Sequence, residues 1–261
     1  MSTFIKWGYR WRKFYPWGRT FSDNILYASD DCVQKDSDDS TSLELHVVKN
    51  EREECCHRLK YDIGAICPVS MEPNDEGWYE PLTFGKVRIE MSVKFPLGKF
   101  LWPSFWLFNS HGRTGELDYV YNELDVFEAY SGKNGNYKTR GRKDLCDKKI
   151  DSLLKHYFCD AHTWDEVSGS RKRVRFFGLP RKKNISSPSS TYHKFTFERT
   201  DTHIEFHCDG KLLVCINSSD DLYESFSLDL FLVISNAVCT SKSDNEENLP
   251  MFIKDLSITV L

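Results

Sequence analysis

The sequence lacks a long apolar run. Its longest, 228–235 (LDLFLVIS), carries Asp229 inside it and falls far short of the roughly 18 residues of a bilayer span, so no membrane partner is expected. Glycine and proline are scarce, 14 and 9 in 261 residues beside 14% aromatics, a balance that excludes a collagen-like or disordered chain. None of the nine cysteines forms a CxxC pair, which excludes a zinc ribbon and a thioredoxin-like site. The cysteines read mainly as small buried thiols, with one or two disulfides as the other reading. Helical periodicity is weak, the only plausible stretch being 145–157. The start, MSTFIKWGYRWRKFYPWG, has no continuous apolar stretch of about 7–15 residues, so no secretory signal is read in it.

Charge is present but uneven. Between Lys133 and Lys183 fifteen Lys and Arg stand against six acids, so this segment is +9 while the remainder of a chain of net charge −4 is −13. The block reads either as solvated loops or as a face toward an anionic partner. Its densest part, RKRVRFF at 171–177, comes with no nucleic-acid-binding signature, and no nucleic-acid partner is expected.

What the chain has in quantity is alternation of period two. Val87, Ile89, Met91, Val93 and Phe95 alternate with Lys86, Arg88, Glu90, Ser92 and Lys94, the pattern of a half-buried strand. Phe195 and Phe197, then Ile204, Phe206 and Cys208, repeat it, and Asp209-Gly210 marks a tight hairpin into a strand at 212–216. Further strands are expected at 228–234 and 251–260. Many short strands and almost no helix imply an all-β chain, a β-sandwich jelly roll of two antiparallel sheets, read as one domain over 1–261.

The stretch that carries chemistry is Glu123-Leu-Asp-Val-Phe-Glu128. In a regular strand Glu123 and Asp125 share a face and Glu128 points the other way. One extra residue near Val126-Phe127, a β-bulge, turns Glu128 onto their face, and bulges re-aim side chains beside active sites. Three crowded carboxyls repel one another and push their pKa values apart, which is how one carboxyl comes to act as nucleophile and another as proton donor in glycoside hydrolysis. Without other support, a solvated strand face explains the same letters.

The flanks supply that support. Leu101-Trp-Pro-Ser-Phe-Trp-Leu107 ahead of the acids resembles the G-x-W-P-A-F-W-L segment that precedes the E-[IL]-D-[IV]-x-E strand of glycoside hydrolase family 16, the laminarinase, agarase and carrageenase group. The segments 83–95 (TFGKVRIEMSVKF), 192–211 (YHKFTFERTDTHIEFHCDGK), 231–238 (FLVISNAV) and 251–260 resemble other strands of that family in its order, so the resemblance covers roughly 83–261. Residues 1–80 match nothing. The resemblance implies a concanavalin A-like jelly roll with a concave substrate cleft, Glu123 as nucleophile, Asp125 as the acid between, and Glu128 as general acid/base. It also implies a retaining outcome, with the two glutamate carboxyls about 5–5.5 Å apart and a raised pKa at Glu128. Tyr121, Trp106 and Trp102 are candidates to stack on sugar rings, although a Trp in an apolar run is more often core. His156 resembles a cleft histidine of the family, and Asn236 is expected to face the cleft.

The expected activity is that of an endo-glycosidase on β-linked polysaccharide, first a laminarin-like β-1,3-glucan and otherwise a sulfated or agar-type galactan. The other class of reading is a non-hydrolytic lectin on the same fold, and a transglycosylase is a third. No cofactor or catalytic metal is implied, although relatives can hold a structural calcium. A monomer acting outside the cell is expected from a polymeric substrate. Departures from the family pattern include Arg88 and Glu90, exchanged relative to the usual order, and Arg199 where Trp is usual.

Overall fold

Wherever the sequence alternates, the chain extends. In a computed structural model, which describes residues 3–21, 26–54, 57–96, 101–110, 120–129, 157–165, 171–178, 190–238 and 250–261, nearly all regular structure is strand. In the first half these are β1 (Thr3–Lys6), β2 (Tyr9–Arg12), β3 (Thr20–Phe21), β4 (Leu26–Ala28), β5 (Val33–Lys35), β6 (Leu43–Leu45), β7 (Val47–Glu54), β8 (His57–Val69), β9 (Thr83–Phe84), β10 (Val87–Lys94), β11 (Leu101–Ser110) and β12 (Val120–Glu128). The second half adds β13 (Tyr157–Asp165), β14 (Arg171–Gly178), β15 (His193–Arg199), β16 (His203–Cys208), β17 (Lys211–Asn217), β18 (Leu230–Val238) and β19 (Met251–Val260). The α-helix among the described residues is one turn, Asp221–Glu224, and none is long and apolar enough to cross a membrane.

The strands form two sheets. The larger runs β1-β2-β8-β18-β11-β12-β13-β14, and the smaller β17-β16-β15-β10-β19-β6-β5. Every pairing described is antiparallel except β4 beside β8. The expected sandwich is thus observed. Its core lies between the sheets, where Val87, Ile89, Met91 and Val93 of β10 meet Phe105 and Leu107 of β11 and Leu124, Val126 and Phe127 of β12. Phe127 packs on Phe95 at 4.9 Å and on Phe195 of the opposite sheet at 4.6 Å between ring centroids. Burial on this scale, at roughly 1.5–3 kcal/mol per large apolar side chain, holds the sheets together.

Details of the expected pattern recur in the turns and pairs. Asp209 and Gly210 take positive φ of 51° and 74° between β16 and β17, the two-residue hairpin that favours Asp-Gly. Arg88, despite its exchanged position, bridges Glu90 at 3.0 Å and Glu198 at 2.7 Å. Arg199 is buried and donates to the Leu228 carbonyl at 2.7 Å. Cys32, Cys67, Cys159 and Cys208 are buried free thiols and Cys215 is an exposed one. The stretch expected to be helical at 145–157 lies outside the described residues except Tyr157, which opens β13.

A second apolar cluster occupies the other face of the larger sheet. There Tyr61, Ile63, Ala65, Cys67 and Val69 of β8 pack with Phe14, Tyr15, Trp106 and Phe108. Since Ile66 of the same strand lies in the inter-sheet core, β8 is buried on both sides. The N-terminal segment, unassigned by sequence, therefore closes one end of this face. At Gly64 any Cβ would meet the Cys32 carbonyl oxygen at 2.5 Å and the Leu45 Cα at 2.9 Å, so only glycine allows β8 this close to β6.

Candidate active site

The acids stand on β12, in the middle of the larger sheet. Toward β13, Asp125 is opposite Asp160 and Glu128 opposite Phe158, so three steps on β12 match two on its neighbour. Toward β11, Asp125 is opposite Trp106 and Phe127 opposite Phe105. The residue in excess is Val126. Val126 and Phe127 both point into the core, each 0% exposed. Two successive inward side chains return Glu128 to the side of Glu123 and Asp125, as a bulge does.

That side is a cleft with about 330 Å³ of empty space. Alternate residues line it: Trp102, Ser104 and Trp106 from β11, Glu123, Asp125 and Glu128 from β12, Ser235 and Ala237 from β18. Each carboxylate is held. The Trp102 indole Nε1–H donates to Glu128 Oε1 at 2.9 Å, and the Tyr121 hydroxyl donates to Glu123 Oε2. His162 Nε2 lies 3.4 Å from Glu123 Oε1. Ser104 and Ser235 hydrogen-bond to each other at 2.9 Å across the floor.

Burial pushes the Glu123 carboxyl up to about 7, because desolvation disfavours its charged form. The negative charges of Glu128 and Asp160 push the same way, while hydrogen bonds with Tyr121 and Asp125 pull it down. The sequence reading placed a raised pKa on Glu128. The shift seen in the structure is that of Glu123, enclosed by Tyr121 and His162. Ligand atoms of Glu123, Asp125 and His162 lie within 4.8 Å of one another, so these three could hold a divalent cation.

The other expected residues divide. Tyr121 reaches Glu123, and Trp102 and Trp106 line the cleft. Trp106 is only 5% exposed, because Trp17 and Phe108 pack on it at 5.8 and 5.0 Å. Its ring is floor. Asn236 does not face the cleft: between Ser235 and Ala237 it points to the opposite side, where its Nδ2 donates to the Leu45 carbonyl at 2.9 Å. Opposite Gly64 in register, it ties the two sheets where their backbones are closest. His156 lies outside the described residues.

The histidine at the acids is His162, opposite Glu123 on β13, and Asp160 beside it is 1% exposed. Neither stood out in the sequence. The available signal was the alternation of Cys159, Ala161 and Thr163, all buried, with Asp160, His162 and Trp164.

No protein-family model and no curated protein matches the chain. Solved structures do. One is a GH16 protein of a Bacteroides ovatus mixed-linkage glucan PUL in complex with a G4G4G3G product, with a TM-score of 0.62 and 15% identity over 99% of this chain and 97% of that one. A second is LamAcat from Zobellia galactanivorans, with a TM-score of 0.61 and 12% identity over 96% and 90%. A third is the kappa-carrageenase from Pseudoalteromonas carrageenovora with an oligotetrasaccharide of kappa-carrageenan, with a TM-score of 0.60 and 14% identity over 92% and 86%. The chain has the GH16 fold. The match to the first of these covers 99% of the chain, so it reaches into residues 1–80, which resemble nothing by sequence.

Proposed function

We propose that this protein is an endo-acting glycosidase that cleaves β-linked polysaccharide by double displacement with retention. The observation that carries this reading is the row of Glu123, Asp125 and Glu128 on one face of a bulged strand at the floor of a cleft. Glu123, between the Tyr121 hydroxyl and His162, is the nucleophile. Its carboxylate oxygen bonds to the anomeric carbon as the glycosidic bond breaks, and Glu128, oriented by Trp102, gives its proton to the departing oxygen. A water then attacks the glycosyl-enzyme ester while Glu128 takes back a proton, which regenerates both groups. Asp125 shares a hydrogen bond and a proton with Glu123 during this cycle.

For the substrate, we take a laminarin-like β-1,3-glucan as the first reading, in line with the laminarinases that share the fold. A specific feature favours a second, an anionic galactan. Along β14, Arg171, Arg173 and Arg175 stand in register opposite Trp164, His162 and Asp160 of β13, so the basic block borders the cleft strands. Reducing-sugar release from laminarin, mixed-linkage glucan, agarose, porphyran and carrageenan, with Glu123→Gln run alongside, tests both. Cleavage of one polymer by the wild type alone is the expected result and identifies the substrate. Turnover by Glu123→Gln at the wild-type rate would remove Glu123 as nucleophile, and binding without cleavage would make the protein a lectin.

A further inference from the structure

All seven tryptophans are among the described residues, and two of them, Trp78 and Trp164, are exposed. A single exposed apolar residue is ordinary on a protein surface. The position of Trp164 is what separates it from the rest. On β13, Tyr157, Cys159 and Ala161 lie in the inter-sheet core, so by strand alternation residues 160, 162 and 164 face the cleft. His162, in contact with Glu123, confirms that side. Trp164 is 47% exposed and opposite Tyr121 in register. It therefore stands two residues, about 7 Å along the strand, from the His162–Glu123 contact.

Stacking on a sugar needs an open ring face. The cleft tryptophans read from the sequence are less open: Trp106 is covered by Trp17 and Phe108, and Trp102 is partly buried, packed against the second apolar cluster. We propose that Trp164 is the sugar-binding platform of this cleft, holding the pyranose next to the cleaved linkage through its apolar C–H face, with Tyr121 flanking it. This rests on the glycan-cleaving reading only for its kinetic form, since a platform also serves a protein that binds without cleaving.

The test separates the two. Oligosaccharides and polymers of the panel are titrated by calorimetry into Glu123→Gln and into Glu123→Gln/Trp164→Ala, which needs no turnover. Weakening of about tenfold by Trp164→Ala, with recovery in Trp164→Phe, is expected. In an active wild type the same substitution should raise KM about tenfold with kcat unchanged, the mark of binding energy shared by ground and transition states. Equal affinity with and without the indole, or a loss confined to kcat, would overturn the platform. If no polymer is cleaved but one binds through Trp164, the platform stands and the hydrolase reading falls. If none binds, both fall. Thermal melting of Trp164→Ala, expected to match the parent because the ring is half exposed, guards against loss through misfolding.

Discussion

Ionising Glu123 inside the folded protein is costly, and the cost is measurable without any substrate. Its carboxyl, ordinarily near 4.5, is raised to about 7, and each factor of ten in proton affinity is about 1.4 kcal/mol. The folded state therefore binds this proton more tightly than the unfolded state by about 3 kcal/mol. The sign follows directly. Below about pH 4.5 the group is protonated in both states and contributes nothing; between pH 4.5 and 7 it ionises only on unfolding and stability falls; above 7 the full loss is reached. Glu123→Gln removes this group's share of the pH dependence. The variant's melting temperature, measured against wild type by differential scanning calorimetry from pH 4.5 to 8, should gain steadily on the parent up to about pH 7 and then hold level. At 2–4 °C per kcal/mol for a chain of this size the full gain is on the order of 10 °C. The altered hydrogen bond from Tyr121 adds an offset that does not depend on pH, so the slope is the test. A difference that stays constant across the range would show that burial does not raise Glu123, and the electrostatic account of the acid row would be wrong.

Two other outcomes are expected. On whichever polymer is cleaved, kcat/KM should fall about tenfold per pH step below about 7, because the proposed attack needs Glu123 ionised; a limb near the ordinary 4.5 would refute this. Deleting Val126 should leave Glu123, Asp125 and Glu128 on one face, because the remaining residues alternate regularly. The deletion should cost roughly 1.5–3 kcal/mol of core burial while keeping hydrolysis within about tenfold, and a folded but inactive product would show that the extra residue does more than fill the core.

Most of the small sheet and the acid row were legible in the sequence, for one physical reason. Strands that are wet on one side carry their orientation as an alternation of apolar and polar letters, and β10, the hairpin at Asp209-Gly210 and the mismatch at Val126-Phe127 all show it. Strands covered on both sides lose that signal. β8 is apolar on each face because Phe14, Tyr15, Leu26 and Ala28 pack over one of them, and no alternation marks it. The same covering made Trp106 look like a sugar platform, since nothing near it in sequence announces Trp17. Asn236 was misplaced because a polar residue in an apolar strand is as readily a tie to a backbone carbonyl as a cleft residue, and only the position of Leu45 decides. At β13 the inward residues are small, so the alternation of Cys159, Ala161 and Thr163 with larger neighbours was too faint to outweigh the helix-like stretch before it, and His162 was passed over.

The bulge has a mechanical side as well. Phe127, the chain neighbour of Glu128, packs against the stacked pair Phe95 and Phe195 at 4.9 and 4.6 Å, and Phe195 belongs to the smaller sheet, which contributes none of the described residues that line the cleft. Glu128, the proton donor of the proposed mechanism, is thus mounted on a pivot whose far bearing is the opposite layer of the sandwich. On that mechanism, shaving the bearing loosens the aim of a carboxyl on the other side of the molecule, and the hidden sheet becomes part of the apparatus that steers the proton.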